Sequence, residues 1–197
     1  TAYLAELGLE DKFVAVYAGA HGVANGLDQV LDAAEHLRDR PDIAILLIGQ
    51  GKQRDALLEQ VHRRELNNVF MQPSVPKVRL PAILMACDLG LQILTQISRP
   101  RWVTPNKLFD YMFAGLPTLV NFAGTCAELV EGEQVGVVSE PESAGDLAAK
   151  ICYYADRPEE RKAVGRRARE LAWEKYDRQA IARQLIETFE QVCARRR

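Results

Sequence analysis

The sequence predicts an α/β fold, a doubly wound parallel sheet of about six strands with helices on both faces, and three observations carry that expectation. Short apolar runs of β-type residues alternate with stretches of helical periodicity along the whole chain. The runs are continuously apolar, as in Ile43-Ala44-Ile45-Leu46-Leu47-Ile48, which is the pattern of strands buried on both faces. Most runs close on glycine, proline or small polar residues, where the chain leaves a strand for a helix. Strand-helix-strand crossings are right-handed, so such a sheet is wound in both directions from its first strand.

The elements follow in order. Phe13-Val14-Ala15-Val16-Tyr17-Ala18 is the first strand, ending at Gly19, and Leu27, Val30, Leu31, Ala34 and Leu37 then recur at helical spacing up to Pro41. Ile43 to Ile48 is the second strand, closed by Gly49-Gln50-Gly51, and a helix carrying Leu57, Leu58 and Val61 follows. A short strand near Val69-Phe70-Met71 leads to the loop Gln72-Pro73-Ser74-Val75-Pro76. A helix around Leu80 to Met85 precedes the strand Leu89 to Leu94, and a long loop then runs to Pro105. There a helix begins with Leu108, Tyr111 and Met112, and Gly115-Leu116-Pro117 turns the chain into the strand Thr118-Leu119-Val120. A helix near Ala127 to Val130, a strand at Gly136-Val137-Val138 and three helical segments complete the chain. The last segment lines up Ile181, Leu185, Ile186, Phe189 and Val192 as an apolar stripe expected to form core, either by packing on its own domain or in a dimer. Residues 1–197 are read as one Rossmann-like domain without internal repeats.

Composition narrows the function. A chain of 197 residues can bury roughly 70% of its unfolded surface. With 48% apolar and 26% charged residues it has the balance of a globular protein in water. A net charge of -2 gives no electrostatic reason to expect nucleic acid as a partner. Arg195 to Arg197 read as a solvated, frayed end. Cys87, Cys126, Cys152 and Cys193 lack metal-ligand spacing. Cys87, Cys152 and Cys193 lie in apolar sequence surroundings and read as reduced, buried thiols of a cytoplasmic protein. No apolar run reaches the length of a membrane span and no signal peptide is evident, while Thr1 suggests a piece of a longer chain.

Open α/β sheets bind ligands outside the carboxyl ends of their strands. Four loops there matter. Gly19-Ala20-His21-Gly22-Val23-Ala24-Asn25-Gly26 lets backbone approach a ligand and offers a helix start to an anion, with His21 placed to donate to a phosphate or a sugar hydroxyl. It is not the G-x-G-x-x-G dinucleotide fingerprint, and a tight turn with a helix cap explains it equally well. Gly49 and Gly51 punctuate the second strand, also readable as a simple turn. Val75, between Pro73 and Pro76, stands where backbone groups would meet a flat base. The fourth, Thr104-Pro105-Asn106-Lys107-Leu108-Phe109-Asp110-Tyr111, opens a helix at a strand-end loop. Pro105 suits a first helical turn and Thr104 can cap it. The amides there and Lys107 together favour a diphosphate, and Asp110 can accept two hydroxyl hydrogen bonds from a ribose. His36 and His62 look like surface positions on helices.

Three stretches then carry a resemblance: Tyr17-Ala18-Gly19-Ala20-His21-Gly22, Ile48-Gly49-Gln50-Gly51, and Pro105 through Thr118 with its Ala114-Gly115-Leu116-Pro117 ending. From about Phe13 onward the chain resembles the C-terminal, donor-binding domain of group 1 (family 4) retaining glycosyltransferases of the GT-B fold. Within these it is most similar to those of bacterial surface-polysaccharide assembly, lipopolysaccharide included, such as N-acetylfucosamine-type transferases. The resemblance implies a nucleotide sugar, UDP-linked, held mainly by this domain, and a glycan or lipid-linked acceptor. The acceptor would be held by an N-terminal domain outside this chain, so the isolated domain should bind donor weakly and transfer little. It implies a cytoplasmic protein, at the inner face of the membrane if the acceptor is a lipid.

In the family an acid pair with seven residues between its members lies here. Asp110 stands at its second, ribose-gripping position as a shorter equivalent, and the first falls at Trp102. The Arg and Lys often found near the family's first loop are replaced by His21 and Asn25, so Lys107, Arg99, Arg101 and the helix start are the substitute charges. With no Asp-x-Asp motif, a metal-independent reaction without cofactor is expected, and no catalytic residue is assigned. No paired carboxylates suggest glycoside hydrolysis. Two rivals stand beside this reading. One is a nucleotide-sugar 2-epimerase of the same shape; the other is a non-catalytic nucleotide-binding or receiver-like module, although no acidic cluster follows the first strand.

Overall fold

The computed structural model describes residues 2–95 and 104–194. The apolar runs pair as one parallel sheet of β1 (Phe13–Ala18), β2 (Ile43–Ile48), β3 (Val69–Gln72), β4 (Leu89–Gln92), β5 (Thr118–Val120) and β6 (Gly136–Val138). Their order is β3-β2-β1-β4-β5-β6, so the winding reverses between β1 and β4 as a doubly wound sheet requires. The connecting helices are α1 (Ala2–Glu6), α2 (Asp28–His36), α3 (Arg54–Arg63), α4 (Leu80–Leu84) and α5 (Asn106–Ala114). They continue with α6 (Thr125–Gly132), α7 (Ala144–Ala155), α8 (Pro158–Lys175) and α9 (Arg178–Ala194).

Strand alternation sorts the core into two layers. Phe13, Ala15 and Tyr17 face α2 and α7, packing with Leu31, Ile151 and Tyr154. Val14 and Val16 face the opposite side with Leu4, Leu84 and Tyr111. That side continues across β5, where Leu108, Met112 and Val120 pack on Ala168 and Ala172 of α8. Gly115 ends α5 with φ 79°, its N–H bonded to Met112, a left-handed turn that side chains resist.

Two short elements escape the periodicity. Helix α1 has five residues and a 3-10 turn spans Val23–Asn25, both too short to repeat an apolar face. Strand β4 also stops at Gln92, two residues before the expected end. The Leu94 N–H donates to Asn121 Oδ1 (2.9 Å) and the Thr95 N–H to the Ala24 carbonyl (3.0 Å), so both leave the ladder. Asn121 is buried and its Nδ2 also donates to Gln29 Oε1 at 2.9 Å and to the Leu94 carbonyl at 3.1 Å. Asn121→Ala is expected to lower stability by about 2 kcal/mol, roughly 4–8 °C in melting temperature by calorimetry, because it strands buried partners.

The stripe on α9 does not pack on its own domain, one of the two arrangements expected of it. Ile181, Leu185, Ile186 and Phe189 are exposed, 46% to 62%, because α9 runs off the domain and its apolar face finds no partner there. Cys87 and Cys126 are buried and burial pushes both thiols up to about 12, while Cys152 is half-buried. Cys193 is exposed on α9 and not a core residue as its sequence surroundings suggested. His36 and His62 are at the surface. Among the described residues no helix is long and apolar enough to cross a membrane.

Candidate functional site

The β1–β4 ladder is short. Only Ala15 with Leu89 and Val16 with Gly90 are paired, after which the two strands part. The Tyr111 hydroxyl fills the gap, accepting from the Ala18 N–H at 3.1 Å and donating to the Leu91 carbonyl at 3.2 Å. The Tyr111 ring lies on Gly90, where a Cβ would stand 2.5 Å from it. A crevice therefore opens at the carboxyl ends of the strands, at the point where strand order reverses.

One wall of the crevice is two loops stitched together. The β1–β2 ladder continues past the strands as Gly19 N–H to Ile48 carbonyl (2.9 Å) and His21 N–H to Gln50 carbonyl (2.9 Å), and Gln53 N–H returns to His21 carbonyl (2.9 Å). This contact demands glycine: a Cβ on Gly49 would lie 1.8 Å from the Gly19 carbonyl oxygen, and one on Gly51 2.4 Å from that of His21. Beside the loops a cavity of about 310 Å³ is lined by Ala18, Gly19, Ala20, Ile48, Gly49, Gln50, Ser74, Val75 and Leu80.

The polar groups in the crevice are short of partners. His21 is fully buried, and neither ring nitrogen has a hydrogen-bond partner among the described residues. Burial first, then the charges of Arg54 and Lys107, lowers its pKa, so the imidazole is neutral at pH 7. Lys107, on the first turn of α5, reaches across the strand ends to set Nζ 3.8 Å from the Tyr17 ring centroid. Burial pulls its pKa down to about 7. The Tyr17 hydroxyl donates to the Ala20 carbonyl at 2.9 Å. Arg54, whose charge bears on His21, also has its Nε buried without a partner among the described residues.

The expected site residues separate into groups. Gly19, His21, Gly49 and Lys107 meet at the crevice, with Gly51 clasping the His21 backbone and Val75 on the adjoining cavity. Gly22 precedes the 3-10 turn, and Asn25 turns its amide back to the Ala20 carbonyl at 2.9 Å, serving its own loop. Leu108 is buried in the core, and its N–H bonds the Pro105 carbonyl at 3.0 Å. Thr104 does not cap α5. Pro105 occupies that position at φ -65° and ψ 142° with no side-chain cap, while Thr104 Oγ1 lies 3.5 Å from Thr125 Oγ1.

Asn106 and Asp110 stand on the outer side of α5, one turn apart. They line a cavity with Lys77, Phe109, Phe113 and Trp173. Asp110 also lines a second one shared with Leu80, which in turn borders the cavity beside the loops. Arg99, Arg101 and Trp102 lie outside the described residues, as do Arg195 to Arg197. Arg54 and Tyr111 are the contributors that sequence reasoning missed. Their residue types carry no motif, and only packing tells which way each side chain turns. Among the described residues no three His, Cys, Asp or Glu groups converge as metal ligands.

Comparison with known proteins agrees with this architecture. The chain is 29% identical over 182 residues to the putative colanic acid biosynthesis glycosyl transferase WcaI of Escherichia coli K12, covering 90% of this chain and 43% of that protein. The crystal structure of Anabaena HepE in complex with UDP superposes with a TM-score of 0.82 at 22% identity, over 96% of this chain and 52% of that one. Sucrose-phosphate synthase from Thermosynechococcus elongatus superposes with a TM-score of 0.79 at 20% identity, over 97% and 48%. The chain thus spans about half the length of these relatives. The sheet with helices on both faces is the Rossmann-like half-domain of the GT-B fold. Residues 2–171 match the family described as glycosyl transferases group 1, and the chain belongs to it.

Proposed function

We propose that the chain is the donor-binding half of a two-domain glycosyltransferase that takes a UDP-sugar and hands its sugar to a glycan or lipid-linked acceptor held elsewhere in the enzyme. The observation that carries this reading is the crevice itself: a half-buried lysine with no acidic partner among the described residues, facing a buried histidine whose two ring nitrogens likewise lack one. Uncompensated donors of this kind are costly in a folded chain unless an anion completes them. The cavity beside Gly49 and Val75 suits a flat base. Asp110, reached past Leu80, suits the ribose hydroxyls, and Gly19 with the uncapped start of α5 suits the diphosphate. The UDP and UDP-glucose bound in the Anabaena structures support a UDP-sugar as the donor.

In this proposal the sugar leaves with retention, and the departing diphosphate is held by Lys107, His21 and fixed backbone N–H groups without a metal ion. The acceptor approaches the face the diphosphate leaves, on a partner domain, so this chain alone binds donor and transfers little. Calorimetric titration with UDP in EDTA, against GDP and ADP, tests it. Selective UDP binding is expected, about 10- to 100-fold weaker in Asp110→Ala as two hydrogen bonds to a charged carboxylate are lost. Preference for another nucleotide would change the donor, and equal affinity in Asp110→Ala would remove that residue from the ribose.

A further inference from the structure

We infer that a phosphate-bearing ligand enters this crevice together with a proton: on the alkaline side of neutrality the free chain holds Lys107 uncharged beside a neutral His21, and the docking phosphate oxygens turn Lys107 back into an ammonium. The inference rests on the donor-site reading above and adds to it how the site is charged before and after binding.

The geometry sets up the coupling. From β1 the Tyr17 ring covers Lys107 Nζ, and Gly19 leaves so little room that a Cβ there would sit 3.1 Å from that nitrogen. From the loop after β1, His21 faces it, its ring 6.2 Å from that of Tyr17. From α3, Arg54 bears on His21, its only acidic contact among the described residues being Asp55 at 3.8 Å. On its own helix the neighbours are Tyr111, fully buried, and Asp110, exposed on the outer side. Burial holds the Tyr17 and Tyr111 hydroxyls in their neutral form. Among the described residues every group facing Lys107 is therefore neutral or cationic. A bare ammonium there keeps only part of its water and no counterion among the described residues, so burial brings its pKa down to about 7 and the neutral amine is favoured above that pH.

A diphosphate reverses that balance. Its charge lies within reach of Nζ, the ammonium becomes the favoured form, and the reaction reads Lys107 amine plus proton plus phosphate ester going to ammonium–phosphate pair. His21 stays neutral throughout and has one N–H to give. Because the complex holds one proton more than the free chain, affinity falls as pH rises above about 7.

Titration of the chain with UDP in HEPES and in Tris at pH 8, where the terminal phosphate of UDP is already ionised, reads the proton directly. The expected result is an uptake close to one proton per UDP, and an affinity loss of roughly 20-fold between pH 7.5 and pH 9. Lys107→Arg, charged throughout, should take up no proton and bind with little pH dependence, whereas His21→Asn should bind more weakly with the uptake intact. In the free chain, the NMR signal of the Lys107 ε-carbon should titrate near neutrality. UDP binding without proton uptake, or a Lys107 that titrates above 10, overturns the inference and leaves the donor site standing. No binding of UDP between pH 6 and pH 9 overturns both.

Discussion

Replacing Lys107 by Met is expected to weaken UDP binding by about 10- to 100-fold while making the protein more stable, not less. The first part follows from the loss of a charged hydrogen bond to phosphate, worth roughly 1.5–3 kcal/mol. The second follows from the environment of Nζ, which lies on the Tyr17 ring without a carboxylate. The folded pKa of about 7 lies below the 10.5 of a free lysine. Between those values the unfolded chain holds more protons than the folded one, so stability rises with pH across that window and the cost of the buried charge is complete below it. Methionine fills similar volume without a charge to desolvate. A gain on the order of 2 kcal/mol is expected at pH 6, shrinking as pH rises towards 10. Thermal melts at pH 6 and pH 9 check it. A variant that loses affinity and stability together would place Lys107 in the scaffold and not in the site.

Gly49→Ala is expected to damage fold and binding at once. Its Cβ would sit 1.8 Å from the Gly19 carbonyl oxygen and 3.0 Å from His21 Nε2. Backbone cannot yield as a flexible side chain can, so the loops after β1 and β2 must separate. Their stitching bonds, His21 N–H to Gln50 and Gln53 N–H to His21, would stretch with them. A loss of about 2–4 kcal/mol is the scale of such overpacking, or roughly 4–16 °C in melting temperature for a chain of this length. Binding of UDP should disappear because the cavity wall and His21 move together. A Gly49→Ala chain that melts normally and binds UDP normally would mean the loops are far looser than this contact requires.

The fold was legible because its strands are continuous apolar runs and its longer helices keep a periodic apolar face. Both signals are local, and the bounds of β5 and β6 follow from them. What lacked a repeat was lost: five-residue α1 is too short for one. The early end of β4 depends on Asn121, twenty-seven residues from Leu94 in sequence and bonded to it in space. The site was legible as loops and not as side-chain directions. Lys107 and Tyr111, one turn apart on α5, both turn inward to the strand ends, while Asp110 turns to the outer cavity. Helix phase alone allows that division but does not say which side faces the sheet. Thr104 was a plausible cap by residue type, yet its hydroxyl lies by Thr125 and Pro105 takes the position. The apolar stripe of α9 was read correctly as apolar. A periodicity names a face without naming what covers it.

The most direct test of the β1–β4 crevice as the donor site is a map of backbone amide shifts by NMR as UDP is added to the chain. The account predicts the largest changes at Gly19, His21, Gly22, Gly49, Gly51, Val75, Asn106 and Lys107, with the amides of α9 unmoved. Changes centred instead on Trp173 and Ile181, with Gly19, His21 and Gly49 unmoved, would contradict it and put the ligand against α8 and α9.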